Sequence, residues 1–313
     1  MEDKKEKHIP VLLNETIESL NIKPDGIYID MTLGRGGHAN EVLKKLSDKG
    51  LLIGIDQDDD AIKDNAIRFK DEKKIKIVKS NFKNLNKILD DFKIDKVNGI
   101  YFDLGVSSVQ FDDGDRGFSY KKDAMLDMRM DKDNPLSLKD LINTYSEEEI
   151  YKIIDEYGEE KFAKNIARNI IKTREEKEIV STLELANIIE NSIPAKYRYK
   201  EKKHPAKRTF QAFRIYINDE LNILDKVLED SVNRLESGGR LSVITFHSLE
   251  DRIVKNKFKY FENPCTCDKN FPCVCGKKSL GRIINKKVIV PSDEEIEKNN
   301  RSRSAKLRIF ERR

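Results

Sequence analysis

Residues 27–38 read IYIDMTLGRGGH, and the fold is decided there. Ile27, Tyr28 and Ile29 form a short apolar run of β-favouring residues, followed by Gly34, Gly36 and Gly37. Ala39, Val42, Leu43 and Leu46 then recur at helical spacing, so the stretch predicts strand, glycine-rich turn, helix. A second apolar run, Leu51 to Ile55, ends on Asp56, twenty residues after Gly36. That is where a β-α-β nucleoside fold places the acid that holds ribose hydroxyls.

Glycines alone leave several readings open. Gly34-x-Gly36-x-x-Ala39 also fits a dinucleotide fingerprint, which keeps a nicotinamide-dependent oxidoreductase in view, and an ordinary structural turn fits too. Asp30 discriminates between them. A carboxylate at the end of the first strand would repel a pyrophosphate and attract the ammonium or sulfonium of S-adenosylmethionine. D-x-T-x-G-x-G is therefore read as a methyl-donor loop, with Thr32 where the common methyltransferase version has glycine.

Outward from this stretch, the 313 residues are enough for about two domains. Charged residues make up 37% of the chain, yet the 38% that are hydrophobic suffice for a globular fold. The start MEDKKEK lacks the apolar core of a signal peptide, and no apolar run approaches a membrane span, so a cytoplasmic protein without a membrane partner is expected. A net charge of +4 is too mild to argue nucleic-acid binding by itself. Local clusters say more: seven Lys or Arg against one Glu between Lys196 and Arg208, with Tyr197 and Tyr199 interleaved, and seven more between Lys298 and Arg313. Each is read either as an RNA-backbone guide or as solvated surface, and a non-catalytic RNA-binding protein stays open.

Strands and helices are expected to alternate through strand Ile27 to Asp30, helix Ala39 to Leu46, strand Leu51 to Asp56, helix Asp59 to Phe69, strand Ile75 to Lys79, helix Leu85 to Phe92 and strand Gly99 to Asp103. That order predicts an α/β fold, a parallel sheet with helices on both faces. A short helix over Val11 to Leu20 precedes it. Phe82, after the third strand, is read as an adenine neighbour or a core aromatic, and Asp103 marks the candidate catalytic edge. After Ser108 the alternation stops. An inserted, mostly helical domain is placed at 109–209, between 1–108 and 210–313. It opens with an ordered loop in which Met125, Leu126, Met128 and Met130 pack. Capping boxes are expected at Ser146-x-x-Glu149 and Ser181-x-x-Glu184, and a break at Gly158. One long helix from Thr209 to Leu235 then leads, through Gly238-Gly239, into the strand RLSVITF. Two last strands are expected at Lys287 to Val290 and Ala305 to Phe310.

Eight separated blocks resemble one family: HIPVLLNETIESL, IYIDMTLGRGGH, LIGIDQD, NGIYFDLGVSSVQFDDGDRGFSY, LDMRMD, HPAKRTFQAFRIYINDEL, GGRLSVITFHSLEDRIVK and NNRSRSAKLR. They look like those of the bacterial small-subunit (16S) ribosomal RNA cytosine-N4 methyltransferases of the RsmH/MraW family, and they span nearly the whole chain. The resemblance implies a Rossmann-like class I methyltransferase sheet with a helical substrate domain. It implies methylation of a cytosine exocyclic amine in the ribosomal decoding region, with S-adenosylmethionine as cofactor. The implied partner is 16S ribosomal RNA or the small ribosomal subunit, and a homodimer is the assembly to test for. Carried over by motif, the donor site would comprise Gly36, Gly37, His38, Asp56, Phe82, Asp103 and Gln110. Val109 stands where the family usually has proline before the glutamine, and Met31 where it often has a smaller residue.

Methyl transfer from a sulfonium needs positioning and electrostatics rather than a metal. Asp103, taken as ionised at neutral pH and acceptor-only, is the candidate to hold the target amine, or else to orient the donor. In the run F-H-S-L-E-D-R, His247 and Glu250 are candidate contacts to the base, and Asp251 and Arg252 are expected to pair with each other. DNA or a small amine remains an alternative acceptor. A His-Asp hydrolase triad reads poorly, because no serine occupies a G-x-S-x-G elbow. Finally, Cys265-x-Cys267 and Cys273-x-Cys275 are the only cysteines, and many relatives lack them. A reducing compartment argues for a thiolate zinc site over disulfides, although C-x-C is tighter than the usual zinc pair and a metal-free loop also fits.

Overall fold

A computed structural model describes residues 10–105, 116–198, 204–268, 270 and 274–313. In chain order the elements are α1 (Leu13–Ser19), β1 (Ile27–Asp30), α2 (Gly37–Lys45), β2 (Leu51–Asp56), α3 (Asp59–Arg68), β3 (Ile75–Lys79), α4 (Leu85–Asp91) and β4 (Val97–Asp103). There follow α5 (Leu138–Thr144), α6 (Glu147–Gly158), α7 (Ala163–Glu176), α8 (Thr182–Ser192), α9 (Ala195–Arg198) and α10 (Lys207–Ile217). Last come α11 (Glu220–Arg234), β5 (Leu235–Thr245), α12 (Ser248–Glu262), β6 (Gly281–Ile283), α13 (Asp293–Lys298) and β7 (Lys306–Arg312). They fall into two compact units, Met1–Gly105 with Leu221–Arg313, and Val106–Glu220.

The first unit is a seven-stranded sheet in the order β3-β2-β1-β4-β5-β7-β6. Strands β1 to β5 run parallel, while β7 pairs antiparallel with both β5 and β6. Side-chain alternation along each strand supplies two cores at once. Tyr28, Leu52 and Tyr101 turn toward Leu20, Val42, Leu43 and Phe69 on one face. Their neighbours Ile29, Ile53, Ile100 and Phe102 turn toward Leu85, Leu89, Leu224, Leu228 and Phe258 on the other. A parallel sheet covered on both faces reads as the near-continuous apolar runs seen in the sequence. Each such buried Ile, Leu or Phe contributes roughly 1.5–3 kcal/mol before entropy is counted.

The second unit is helical. Ile150, Ile153 and Ile154 of α6 and Ala163, Ile166, Ala167 and Ile170 of α7 recur at one-face spacing and meet Leu138, Leu141, Phe210 and Phe213 in a core of their own. Full capping boxes start α5, at Ser137 and Asp140, and α6, at Ser146 and Glu149. At α8, Ser181 accepts from Glu184 N, but Glu184 Oε2 accepts from Val180 N instead of closing the box.

Several sequence expectations change. The long helix from Thr209 to Leu235 is two helices, split where Asp219 takes φ 50°. Asn218 bridges the break: its Oδ1 accepts from Met130 N at 2.8 Å and its Nδ2 donates to Met128 O at 3.0 Å. Arg214 and Glu220 span it with two hydrogen bonds, 2.8 and 3.0 Å. The apolar face read as continuous therefore serves two cores, Phe213 and Ile217 in one, Leu224, Leu228 and Val232 in the other. Gly158 does not break the chain through its own dihedral. Glu159 takes the left-handed turn, while Gly158 lets α10 approach, since a Cβ there would lie 3.2 Å from Arg208 O. Leu126, Met128 and Met130 pack as expected, but Met125 is exposed. The edge strand is Gly281–Ile283 rather than 287–290, of which only Ile289 makes an isolated bridge, to Leu307.

Candidate active site

In an open parallel sheet, ligands bind beyond the carboxyl ends of the strands where the strand order reverses. Here the reversal lies between β1 and β4. Asp30 ends β1, Asp103 ends β4 and Asp56 ends the adjacent β2, so three carboxylates line one edge. The loop after β1 is stapled to β2. Leu33 N donates to Ile55 O at 2.9 Å, and Gly34 N to Asp56 Oδ2 at 2.8 Å. Asp58 N donates to Asp56 Oδ1 at 2.9 Å, which still does not exhaust the roughly four acceptor sites of a carboxylate. Gly36 takes φ +68°, and a Cβ there would sit 2.2 Å from Asn65 Oδ1. Packing of the loop on α3 thus demands glycine at 36. Gly37 is held to the same size because a Cβ would lie 2.3 Å from Pro10 Cγ.

Among the described residues, backbone N–H groups and hydroxyls, not Lys or Arg, bond to these acids. Asp30 is 2% exposed, accepting from Tyr101 Oη–H at 2.8 Å and Thr32 N–H at 3.1 Å. Burial nonetheless pushes it up to about 7. Asp56 is pushed up to about 6, again by burial, against the opposing pull of the Asp58 and Gly34 N–H groups. Asp103 is raised furthest, to about 8, by burial and then by the nearby Asp30 and Glu250 carboxylates. This corrects the expectation that Asp103 is ionised at neutral pH. No Lys or Arg bonds to these three acids among the described residues, and Asp103 Oδ1 is buried with no hydrogen-bond partner. An edge so rich in uncompensated acceptors fits a cationic donor, whose arrival would favour the ionised carboxylates.

His38 belongs to this constellation without facing solvent. It is 6% exposed in the first turn of α2, with Nε2 3.0 Å from Val11 O and Nδ1 3.8 Å from Asp103 Oδ2. A carbonyl only accepts, so Nε2 donates to Val11 O, and Nδ1 is the ring nitrogen turned toward Asp103. Phe82 opens the short 3-10 turn after β3, half-buried, with its ring edge-on to Phe102 at 5.7 Å. It is thus packed against the core beside the carboxyl edge. Gln110 lies outside the described residues, as do Ser107 and Ser108.

His247 caps α12. Its Nδ1 accepts from Glu250 N at 3.5 Å and its Nε2 lies 3.1 Å from Glu250 Oε1. Glu250, 2% exposed, accepts in return from Phe246 N and His247 N. Glu250 and the Nδ1 of His247 thus start the helix, while His247 Nε2 is buried without a hydrogen bond. Asp251 pairs with Lys306 at 3.1 Å and Arg308 at 2.7 Å of β7, which replaces the expected pairing with Arg252.

Two contributors escape a reading of the sequence. Thr32 Oγ1 accepts from Asp103 N at 2.7 Å, tying the β1 loop to the end of β4, and Tyr101 holds Asp30. Thr32 left a signal, a hydroxyl where the common loop has glycine. Tyr101 left a weaker one, standing two residues before Asp103 and so on the same face of β4. Elsewhere, the Sγ atoms of Cys265, Cys267 and Cys275 all lie within 4.8 Å of one another. Cys273 lies outside the described residues.

The sheet order with its antiparallel final strand, the glycine loop after β1, the acid ending β2 and the acid-lined switch point define a class I methyltransferase, the S-adenosylmethionine-dependent kind. The chain belongs to the MraW methylase family, whose model matches residues 5–313. It is 60% identical over 304 residues to ribosomal RNA small subunit methyltransferase H of Clostridium botulinum (strain Kyoto / Type A2), covering 97% of this chain and 98% of that one. It is 56% identical over 308 residues to the protein of that name from Lachnospira eligens, covering 98% of each. Among solved structures, an rRNA methylase from Streptococcus thermophilus aligns with a TM-score of 0.41 and 11% identity, over 98% of this chain and 99% of that one.

Proposed function

We propose that this methyltransferase transfers a methyl group from S-adenosylmethionine to the exocyclic N4 amine of a cytidine in the decoding region of 16S ribosomal RNA. The relatives' shared name supports small-subunit ribosomal RNA as substrate. The observation that carries the chemistry is Asp103, a carboxyl at the β1/β4 switch whose buried Oδ1 has no partner. The donor supplies an electrophilic methyl on a sulfonium, so the acceptor nitrogen needs its lone pair aimed and one proton removed. Cytosine's amine is a poor nucleophile because that lone pair is conjugated with the ring. An acceptor on its N–H draws the nitrogen toward a pyramidal shape. A carboxylate with proton affinity raised to about 8 is also a competent proton acceptor near neutral pH. In this reading Asp56 holds a ribose hydroxyl, Asp30 faces the donor's positive charge, His38 and Thr32 position Asp103, and Gly36, Gly37, Phe82 and Gln110 shape the donor pocket.

The helical unit, read from the sequence as 109–209 and spanning Val106–Glu220 in the structure, is the substrate-recognition domain in this reading, and the chain works in the cytoplasm, as a homodimer, on either naked RNA or the small subunit. Among the described residues no helix is long and apolar enough to cross a membrane. A second bound group, a structural zinc on the cysteine loop, stands apart from methyl transfer.

The test is incorporation of labelled methyl into 16S RNA and small subunits, followed by nucleoside analysis. N4-methylated cytidine is the expected product, and label in any other nucleoside, or none, rejects the proposal. Asp103→Asn should lower single-turnover methylation by about 100-fold or more at saturating donor, the scale of losing a general base. Loss confined to donor affinity would reassign Asp103 to donor orientation.

A further inference from the structure

Residues 263–280, between α12 and β6, carry no helix or strand among those described. Connections longer than about 12–15 residues without structure of their own are uncommon in compact domains. Among its described residues only Pro264 is buried, and between it and Ser279 every one of them except Cys265, Cys267 and Cys275 is exposed, Val274 to 89%. The described residues that turn inward are these three cysteines, and they turn toward one another.

Resting on the reading of these cysteines as a zinc site, we infer that Cys265, Cys267 and Cys275 are three thiolate ligands of a single thiophilic divalent cation that clips this loop and thereby holds the short edge strand β6. Zinc–sulfur bonds of about 2.3 Å at tetrahedral angles put sulfurs about 3.8 Å apart, so three sulfurs within 4.8 Å need only close slightly onto the ion. The two C-x-C pairs are separated along the chain, so one ion bridging Cys265 and Cys267 to Cys275 closes the loop between them. A metal is how a segment too small for a hydrophobic core is stabilised.

The consequence reaches β6. Leu280 N donates to Phe261 O at 2.8 Å where the loop returns, and Ile283 N donates to Glu262 Oε1 at 2.9 Å. Arg313 N and Arg312 Nη1 both donate to Leu280 O, at 3.0 and 3.1 Å. Gly281 is pressed so closely on β7 that a Cβ would lie 2.0 Å from Glu311 O. Three residues pair with β7, Gly281 to Arg312 through Ile283 to Phe310, and a strand that short depends on what anchors its ends. One end is the cysteine loop.

The full-length reduced protein is analysed for metal, then reconstituted with cobalt(II), and hydrogen exchange is followed over 263–283 with and without chelation. About one zinc per chain is expected, with thiolate-to-cobalt charge-transfer absorption of a tetrahedral site. Chelation should raise exchange at 281–283 about tenfold or more, while β1 to β4 stay protected. Cys275→Ser should lose the metal with donor affinity unchanged, and Cys273→Ser tests whether the fourth position is that thiol. No metal as purified and no cobalt uptake overturns both the zinc reading and the clip. Stoichiometric zinc whose removal leaves exchange at 281–283 unchanged keeps the zinc and overturns the clip.

Discussion

At Asp56 the side chain accepts two backbone N–H groups yet keeps acceptor capacity toward the crevice. Asp56→Ala should weaken S-adenosylmethionine by roughly 2 kcal/mol, the scale of charge-assisted hydrogen bonds, and calorimetric titration that finds the affinity unchanged would remove the ribose assignment. The raised acids make the site pH-dependent. A carboxyl whose folded pKa lies above its unfolded value stabilises the fold below the unfolded value, and that contribution is lost as pH rises through the folded one. For Asp30, Asp56 and Asp103 the loss runs from about pH 4 to about 8. Asp103→Asn should therefore raise the melting temperature of donor-free protein more at pH 9 than at pH 5. Donor affinity should climb between about pH 6 and 8 as carboxylates ionise. A flat affinity profile across that range would contradict charge complementarity. The acids themselves were legible in the sequence, because each ends an apolar run. Their protonation was not, since it depends on burial and on Glu250, distant in sequence from Asp103.

At the scale of elements, β1 and β2 fall where the apolar runs place them, because strands buried on both faces leave an uninterrupted pattern, and the edge strand β3 falls in place too although Lys76 and Lys79 on it are exposed. The split between α10 and α11 was hidden, because the apolar period runs through it. Neither Asn218 nor Asp219 is a strong breaker; what ends α10 is Asn218 bonding Met128 and Met130, which lie far back in the chain. Asn218→Ala leaves Met130 N–H and Met128 C=O without that partner and should cost about 1–3 kcal/mol, read in urea unfolding of the full chain. An unchanged midpoint would mean that the Arg214–Glu220 pair alone defines the corner. His247 also has a role in its element, because its ring starts α12.

For the whole molecule, the remaining question is how RNA is gathered, and the basic run from Lys196 to Arg208 is the sequence's answer. Within it Tyr197 is 41% exposed, with its ring 5.3 Å from Phe162 and Lys196 Nζ 4.9 Å from its centroid. Tyr199, Lys200, Lys202 and Lys203 lie outside the described residues. Neutralising Lys200, Lys202 and Lys203 together should weaken RNA binding and flatten its salt dependence, by roughly 0.7–0.9 in slope for each phosphate no longer neutralised, with donor affinity unchanged. An unaltered slope would make the run a solvated face.

The sequence by itself determined the parallel sheet, the glycine loop and the acids at the strand ends, since these rest on short-range periodicity and on the residue that terminates each run. Tertiary structure alone decided which carboxylates share one edge, that His38 lies between Val11 and Asp103, and that Cys265, Cys267 and Cys275 converge. It also decided that the edge strand is Gly281–Ile283. The physical reason is that burial, proton affinity and the pairing of a three-residue strand are set by groups brought together from distant parts of the chain, and no local pattern encodes them.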